Sequence, residues 1–162
     1  MSGVPIYHTG IAPDWIDYNG HLRDAYYGLI ISYATDALME RIGLDTPYRK
    51  LTGCTLYTLE MHIHYLREVK GSDAVKVAVR ILGADRKRIH AAFDLSVQAG
   101  TDLVATAEVM LLHVQQAPPA ASKPFPDAIG SAIAVLAQAG VDAAASEAGS
   151  APESRRMQLP QR

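Results

Sequence analysis

The residues best suited to chemistry lie in one short segment, Asp17-Tyr18-Asn19-Gly20-His21. A carboxylate and an imidazole sit four residues apart, with Asn and Gly between them, in a stretch built to turn. A carboxylate so placed can act as a general base or as a nucleophile. It can also be a plain turn residue or a helix N-cap, two settings in which aspartate is common. Gly20 permits the backbone to pass close to a bound molecule.

Two further clusters invite chemistry. Glu60, His62 and His64 are spaced by two, so a strand brings the carboxylate and both imidazoles to one side. A zinc site needs more ligands than these, and the sequence shows no further cluster. That face is expected to pack on a partner subunit or to line the mouth of a pocket. Asp85-Arg86-Lys87-Arg88 sets three cations side by side. A solvated hairpin end accounts for them, and so does a clamp for phosphate groups.

Composition narrows the classes. A chain of 162 residues suits one domain and can bury a core without disulfide staples. The net charge of -2 gives no bulk attraction to nucleic acid or to an anionic membrane, so an anion site must be a local basic cluster. Cys54 is the one cysteine, which excludes a disulfide framework and any CxxC motif. Met1–Ile11 lacks the basic region and apolar run of a signal peptide. No stretch is read as reaching the roughly 18 apolar residues of a membrane helix. The expectation is a cytoplasmic protein with neither a nucleic-acid nor a membrane partner.

The elements that must position these residues follow from periodicity. Val4 to Ile11 reads as a first strand ended by Pro13, and residues 12–22 as a loop. From Arg23 to Arg41 there is no proline. Tyr26, Leu29, Ile30, Tyr33, Ala37, Leu38 and Ile42 recur at three and four, which predicts a helix stopped by Gly43. Asp45-Thr46-Pro47-Tyr48 predicts a short second helix with Pro47 at its first position. Thr55 to Val69 alternates, with Tyr57, Leu59, Met61, Ile63 and Tyr65 on one face. Three more strands are expected over Ala74–Leu82, Ile89–Gln98 and Leu103–Gln115. Turns at Gly71-Ser72-Asp73, Gly83-Ala84-Asp85 and Gly100-Thr101-Asp102 separate them. A strand, a long helix and then four antiparallel strands make an α+β layer, with the helix lying on a twisted sheet. The core domain is expected over residues 1–117. Residues 118–140 form an extension with a helix over Asp127–Ala139 capped by Gly140. Residues 141–162 read as a flexible, Ala- and Ser-rich tail.

This layout, together with the loop, resembles the 4-hydroxybenzoyl-CoA thioesterase-like family, in which the segment reads Asp-x-x-Gly-His-Val-Asn-Asn-x-x-Tyr. Asp17, Gly20, His21 and Tyr27 fall on the matching positions, and the likeness extends to about Leu112. Arg23-Asp24 replaces the usual Asn-Asn pair, and Trp15 replaces an upstream acid. A closer likeness is to the thioesterases of carnitine breakdown, which hydrolyse betainyl-CoA. It is carried by residues 17–22, Ala34-Thr-Asp-Ala-Leu-Met39, Leu56-Tyr-Thr-Leu-Glu-Met61 and Tyr65-Leu-Arg-Glu-Val69.

The resemblance implies a hotdog fold, a homodimer or dimer of dimers with its sites at the interface, an acyl-CoA substrate, and neither cofactor nor metal. It implies that Asp17 is the central catalytic residue. His21 would orient the loop or touch the thioester, and the amide of Asp24 would hold the oxyanion. The carboxylate of Asp24 would add negative charge to the pocket. A betainyl group carries a quaternary ammonium, which aromatic faces attract. Trp15, Tyr18, Tyr26 and Tyr27 are therefore expected around it, with Glu60 as a further substrate-side carboxylate. Arg86, Lys87 and Arg88 are expected to grip the CoA phosphates, in this chain or from a partner.

Overall fold

The computed structural model describes residues 3–98, 100 and 102–146. Strand β1 spans Val4–Gly10, helix α1 Asp24–Ile42, α2 Thr46–Thr52 and β2 Cys54–Tyr65. Strands β3 (Ala74–Ala84), β4 (Arg88–Val97) and β5 (Leu103–Gln115) follow, then the two-residue β6 (Ala121–Ser122) and α3 (Asp127–Ser146). The sheet is antiparallel in the order β1-β3-β4-β5-β2, with β6 added to β5. The long α1 lies along this curled sheet, which is the hotdog arrangement.

Helix α1 buries Tyr27, Ile30, Ile31, Ala34, Leu38 and Ile42. The expected stripe is partly displaced, because Tyr33 is exposed and Tyr26 only half-buried. Both stripes have helical spacing. The small Ala34 and Thr35 let the helix approach the sheet, and the Thr35 hydroxyl is satisfied by donating to the Ile31 carbonyl at 2.9 Å. Gly43 ends the helix at φ 88°, and the next amide, Leu44, reaches back to the Met39 carbonyl at 2.9 Å. In α2 the Asp45 carboxylate caps the Tyr48 amide at 2.8 Å. Thr46 takes the first helical position, so Pro47 stands second.

Strand β2 departs most from its expected pattern. Its pairing with β5 slips between Thr58 and Glu60, leaving Leu59 as an extra residue. The bulge changes the phase of the strand. Leu56, Met61 and Ile63 pack on the core, whereas Tyr57 and Leu59 face outward. The strand also stops at Tyr65 rather than Val69. The amides of Leu66 and Arg67 both bond the Val104 carbonyl, at 2.9 and 3.1 Å, which ends the ladder there. In β3 the residues Gly83 and Ala84 stay in the strand, so the turn shifts to Asp85–Lys87.

Helix α3 does not stop at Gly140. It runs on to Ser146 through an alanine-rich stretch with strong helix propensity. Gly140 is buried, and a Cβ there would lie 3.8 Å from the Arg80 Cα. The remainder of the expected tail, residues 147–162, lies outside the described residues. Contrary to the sequence expectation, α3 is long and apolar enough over Asp127–Ala145 to cross a membrane, by length and composition. Its Ile129, Ile133 and Leu136 are spent on this domain's core.

Candidate active site

The loop before α1 is shaped by its own backbone and by Asp17. The Asp17 amide donates to the His21 carbonyl at 2.8 Å, and the Gly20 amide to the Asp17 carbonyl at 3.1 Å. Gly20 makes the reversal at φ 83°, a region that other residues rarely enter. The Asp17 carboxylate accepts the amides of Asn19 and His21 on one oxygen, Oδ1, at 2.8 and 3.0 Å. The His21 amide is the largest cause of a carboxyl held below its usual range; partial desolvation opposes it, and the Asn19 amide adds to the lowering. Asp17 is therefore ionised at neutral pH, and Oδ2 takes neither amide. The turn role and the reactive role are compatible, because they use different oxygens.

The loop is tied to the strand-end segment across from it. The Leu22 amide donates to the Val69 carbonyl at 2.8 Å, and His21 forms an isolated antiparallel bridge with Lys70. His21 Nε2 lies 3.1 Å from Glu68 Oε2. Asp24 is the first residue of α1, and its carboxylate accepts the Ala25 amide at 2.8 Å. Among the described residues the Asp24 amide itself has no acceptor. Free amides and the positive end of the helix dipole favour negative charge at such a position.

Tyr27 is buried, and its hydroxyl donates to the Arg67 carbonyl at 3.5 Å. Burial pushes that hydroxyl's pKa up, with Tyr65 the next cause, so it stays a neutral donor. Tyr65 meets Tyr27 edge to face, with centroids 5.1 Å apart at 89°, and its hydroxyl donates to the Asp24 carbonyl at 3.3 Å. These groups line an open cleft of about 360 Å³, together with Asn19, His21, Leu22 and residues 66–68; Asp17, Asp24, Tyr27 and Tyr65 all face it. A larger apolar hollow, about 590 Å³, lies at the far end of α1 beside Ile42, Tyr48 and Ile129. Its lining holds no carboxylate and no imidazole, so the smaller cleft is where the candidate groups meet.

Of the residues singled out from sequence, Asp17, His21, Asp24 and Tyr27 come together. Trp15 stacks on Tyr26, with centroids 5.4 Å apart at 17°, and neither lines the cleft. Tyr18 projects into solvent, 93% exposed. Glu60 points outward from β2 with His62 and His64, also away from the cleft. His62 stands opposite Glu108, which bonds His90 at 3.2 Å. Among the described residues no group of three or more His, Cys, Asp and Glu side chains is arranged to hold a metal ion.

Arg86, Lys87 and Arg88 lie at the opposite end of the sheet from Asp17. Ala74 pairs with Gly10 near the site, and β3 runs eleven residues away from it before the cationic turn, a span of about 33 Å. Asp85 binds the Arg88 guanidinium at 2.9 and 2.6 Å and accepts the amides of Lys87 and Arg88. These bonds, the Lys87 amide first, bring its carboxyl down to about 2. Lys87 Nζ reaches Ser122 at 3.1 Å. Within one chain these cations cannot touch the molecule that meets Asp17, unless it spans most of the sheet.

The sequence alone suggests no site role for Tyr65 or Glu68, and it sets Arg67 with the cationic cluster as a further candidate for the CoA phosphates; Arg67 lies instead on the wall of this cleft. The signal for this segment is the run Tyr65-Leu-Arg-Glu-Val69, which carries part of the likeness to the thioesterases of carnitine breakdown. Only the antiparallel return of β2 past the start of α1 makes it a wall of the site.

A hotdog fold with an ionised carboxylate before the N-terminus of its long helix defines a class of acyl-CoA thioester hydrolases. Residues 11–133 match the Thioesterase-like superfamily. The chain is 47% identical over 133 residues to the betainyl-CoA thioesterase of Pseudomonas aeruginosa PAO1, covering 82% of this chain and 83% of that one. A crystal structure of a candidate thioesterase from Pseudomonas putida KT2440 superposes with a TM-score of 0.78 at 42% identity, covering 99% of both chains. A Staphylococcus aureus protein solved in complex with CoA gives a TM-score of 0.82 at 28% identity, covering 99% of this chain and 98% of that one. The chain belongs to the thioesterase-like superfamily.

Proposed function

We propose that the protein hydrolyses betainyl-CoA to glycine betaine and CoA, with Asp17 as the reacting carboxylate. The observation that supports hydrolysis is the ionised Asp17 facing the same cleft as the free N-terminal amide of α1. The betainyl assignment is supported by the named activity of the Pseudomonas aeruginosa relative.

The geometry suits attack on a thioester. A carbonyl carbon beside Asp17 would turn its oxygen toward the Asp24 amide, which can stabilise the developing oxyanion. Asp17 takes the proton of an attacking water, or attacks directly to give a mixed anhydride that water then opens. In either route the C–S bond breaks and CoA leaves; its sulfur takes the proton that Asp17 drew from the attacking water in the first route, and in the second a proton from the water whose hydroxide opens the anhydride. His21 is held by Glu68 and fixes the loop that aims Asp17.

The working unit in this reading is a cytoplasmic homodimer, or a dimer of such dimers. Strand β2 is an edge strand that exposes Tyr57 and Leu59, a combination that invites pairing with a second copy. Antiparallel pairing of two β2 strands would carry the partner's cationic turn toward this chain's Asp17. That would give Arg86 a CoA phosphate to grip.

A panel of acyl-CoAs incubated with the protein and a thiol reagent tests the activity. Free CoA should appear from betainyl-CoA faster than from acetyl-CoA. A protein that binds acyl-CoA and releases none is a binding module, and that outcome rejects the hydrolase reading. Sedimentation velocity tests the assembly: the protein should run as a dimer, and Leu59→Lys should shift it toward monomer.

A further inference from the structure

We propose that Glu68 and Tyr65 read the positive charge of the acyl group and set the substrate preference of the cleft. This rests on the betainyl-CoA reading above and names the residues that would make it selective.

The substrate's own chemistry restricts where its charge can be. In a betainyl thioester the quaternary nitrogen is one methylene from the reacting carbonyl carbon, about 2.5 Å across two bonds. Whatever holds the carbonyl beside Asp17 therefore places the trimethylammonium in the same cleft. Trp15, Tyr26 and Glu60 do not line it, and Tyr18 stands in solvent. Within this chain, the groups that can meet the cation are those that do line it.

That wall is negative. Three carboxylates face the cleft, from Asp17, Asp24 and Glu68. Arg67 is the one permanent cation among the described lining residues, and it is ion-paired with Asp102. Asp17 holds the loop and performs the reaction, and Asp24 engages the Ala25 amide. Glu68 bonds only the His21 ring among the described residues, and its side chain is 73% exposed.

A trimethylammonium group has no hydrogen to donate, so hydrogen-bond acceptors alone recognise it poorly. An aromatic face beside a carboxylate suits it. Tyr27 is too deeply buried to offer a face. Tyr65 is about half exposed, and its ring is set in advance, by the edge-to-face contact with Tyr27 and by the hydroxyl bond to the Asp24 carbonyl. A fixed ring needs little ordering when the ligand arrives.

The test compares betainyl-CoA with 3,3-dimethylbutanoyl-CoA, in which a carbon replaces the charged nitrogen and the shape is kept. The parent protein should show a higher kcat/KM for betainyl-CoA. Glu68→Gln keeps an acceptor for His21 and removes the charge, so the ratio of the two kcat/KM values should fall about tenfold. Tyr65→Leu should lower the same ratio severalfold, and Tyr65→Phe, which keeps the ring, should restore it. If Glu68 serves only to position His21, both substrates slow together and the ratio holds. An unchanged ratio in both Glu68→Gln and Tyr65→Leu, with a parent that prefers betainyl-CoA, overturns this inference alone. A parent that cleaves the neutral analogue but not betainyl-CoA overturns this inference and the substrate reading together.

Discussion

Replacing Asp17 by Asn separates the two tasks of this residue. Asn keeps a carbonyl oxygen where Oδ1 now accepts the Asn19 and His21 amides, at 2.8 and 3.0 Å. The loop should therefore persist, as should the cleft. A change confined to a solvent-accessible loop shifts stability by about 0.5 kcal/mol or less, about 2 °C in Tm for a chain of this size. What is lost is the charge. A positioned general base contributes about 10²–10⁴-fold in rate. Expected values are therefore a kcat at least a hundredfold lower, a KM within about threefold, and an unchanged circular dichroism spectrum. Thiol release from betainyl-CoA and a thermal melt measure both sides.

The pH profile adds a check on sign. The amides hold the Asp17 carboxyl below 3.8, so the base stays ionised as pH falls until that range is reached. Between pH 5 and 8 Asp17 should give no acid limb in kcat/KM. An Asp17→Asn protein with more than a tenth of parental activity would falsify the assignment of Asp17 as the reacting group. An acid limb centred above pH 5 that disappears in this variant would refute the lowered pKa.

Further outcomes follow from other contacts. Trp15→Ala should affect betainyl-CoA and acetyl-CoA equally, because the Trp15–Tyr26 stack stands outside the cleft; a KM increase confined to betainyl-CoA would return Trp15 to the site. Arg80→Ala should destabilise the fold by about 2–3 kcal/mol in urea titration. It strips the 4%-exposed Asp94 carboxylate of its partner at 3.3 Å, and the 31% exposure of Arg80 keeps the loss below that of a fully buried pair. A loss under about 0.5 kcal/mol would show that water replaces Arg80 without difficulty. Asp85→Asn should lower Tm by a constant amount between pH 5 and 7. The stabilisation by Asp85 is complete above its unfolded value of 3.8 and is lost as pH falls through about 2, so the gap should close over that interval. A gap that widens on acidification would contradict the depressed pKa.

Much of the architecture was legible in the residues. Each of the three sheet strands β3, β4 and β5 announces itself by alternation bounded by turn residues. The start of α1 and its stop at Gly43 follow from local chemistry that needs no distant partner. The same holds for Asp17, Gly20, His21 and Asp24, which are neighbours in the chain and form their loop largely from their own backbone. Less was legible where two local answers were equally good. Helix α1 has more than one apolar stripe, and packing on the sheet selected the one through Tyr27, Ile31 and Ala34. Alternation in β2 was broken by a bulge at Leu59, which depends on the register of β5. Gly140 looked like a cap and became a buried position inside α3 against Arg80.

The sequence alone determined the Asp17 loop and the bonds that keep its carboxylate charged, because hydrogen bonds between residues two and four apart form wherever that loop folds. Only the tertiary structure decided what faces Asp17. Tyr65 and Glu68 lie some fifty residues further along the chain, and they reach the cleft because β2 returns antiparallel beneath the start of α1. Arg86, Lys87 and Arg88, which the family resemblance offered as a grip for CoA phosphates in this chain or from a partner, are carried by β3 to the other end of the sheet. Contacts between distant segments depend on register and strand order, and those are settled by burial of the whole core rather than by any local pattern.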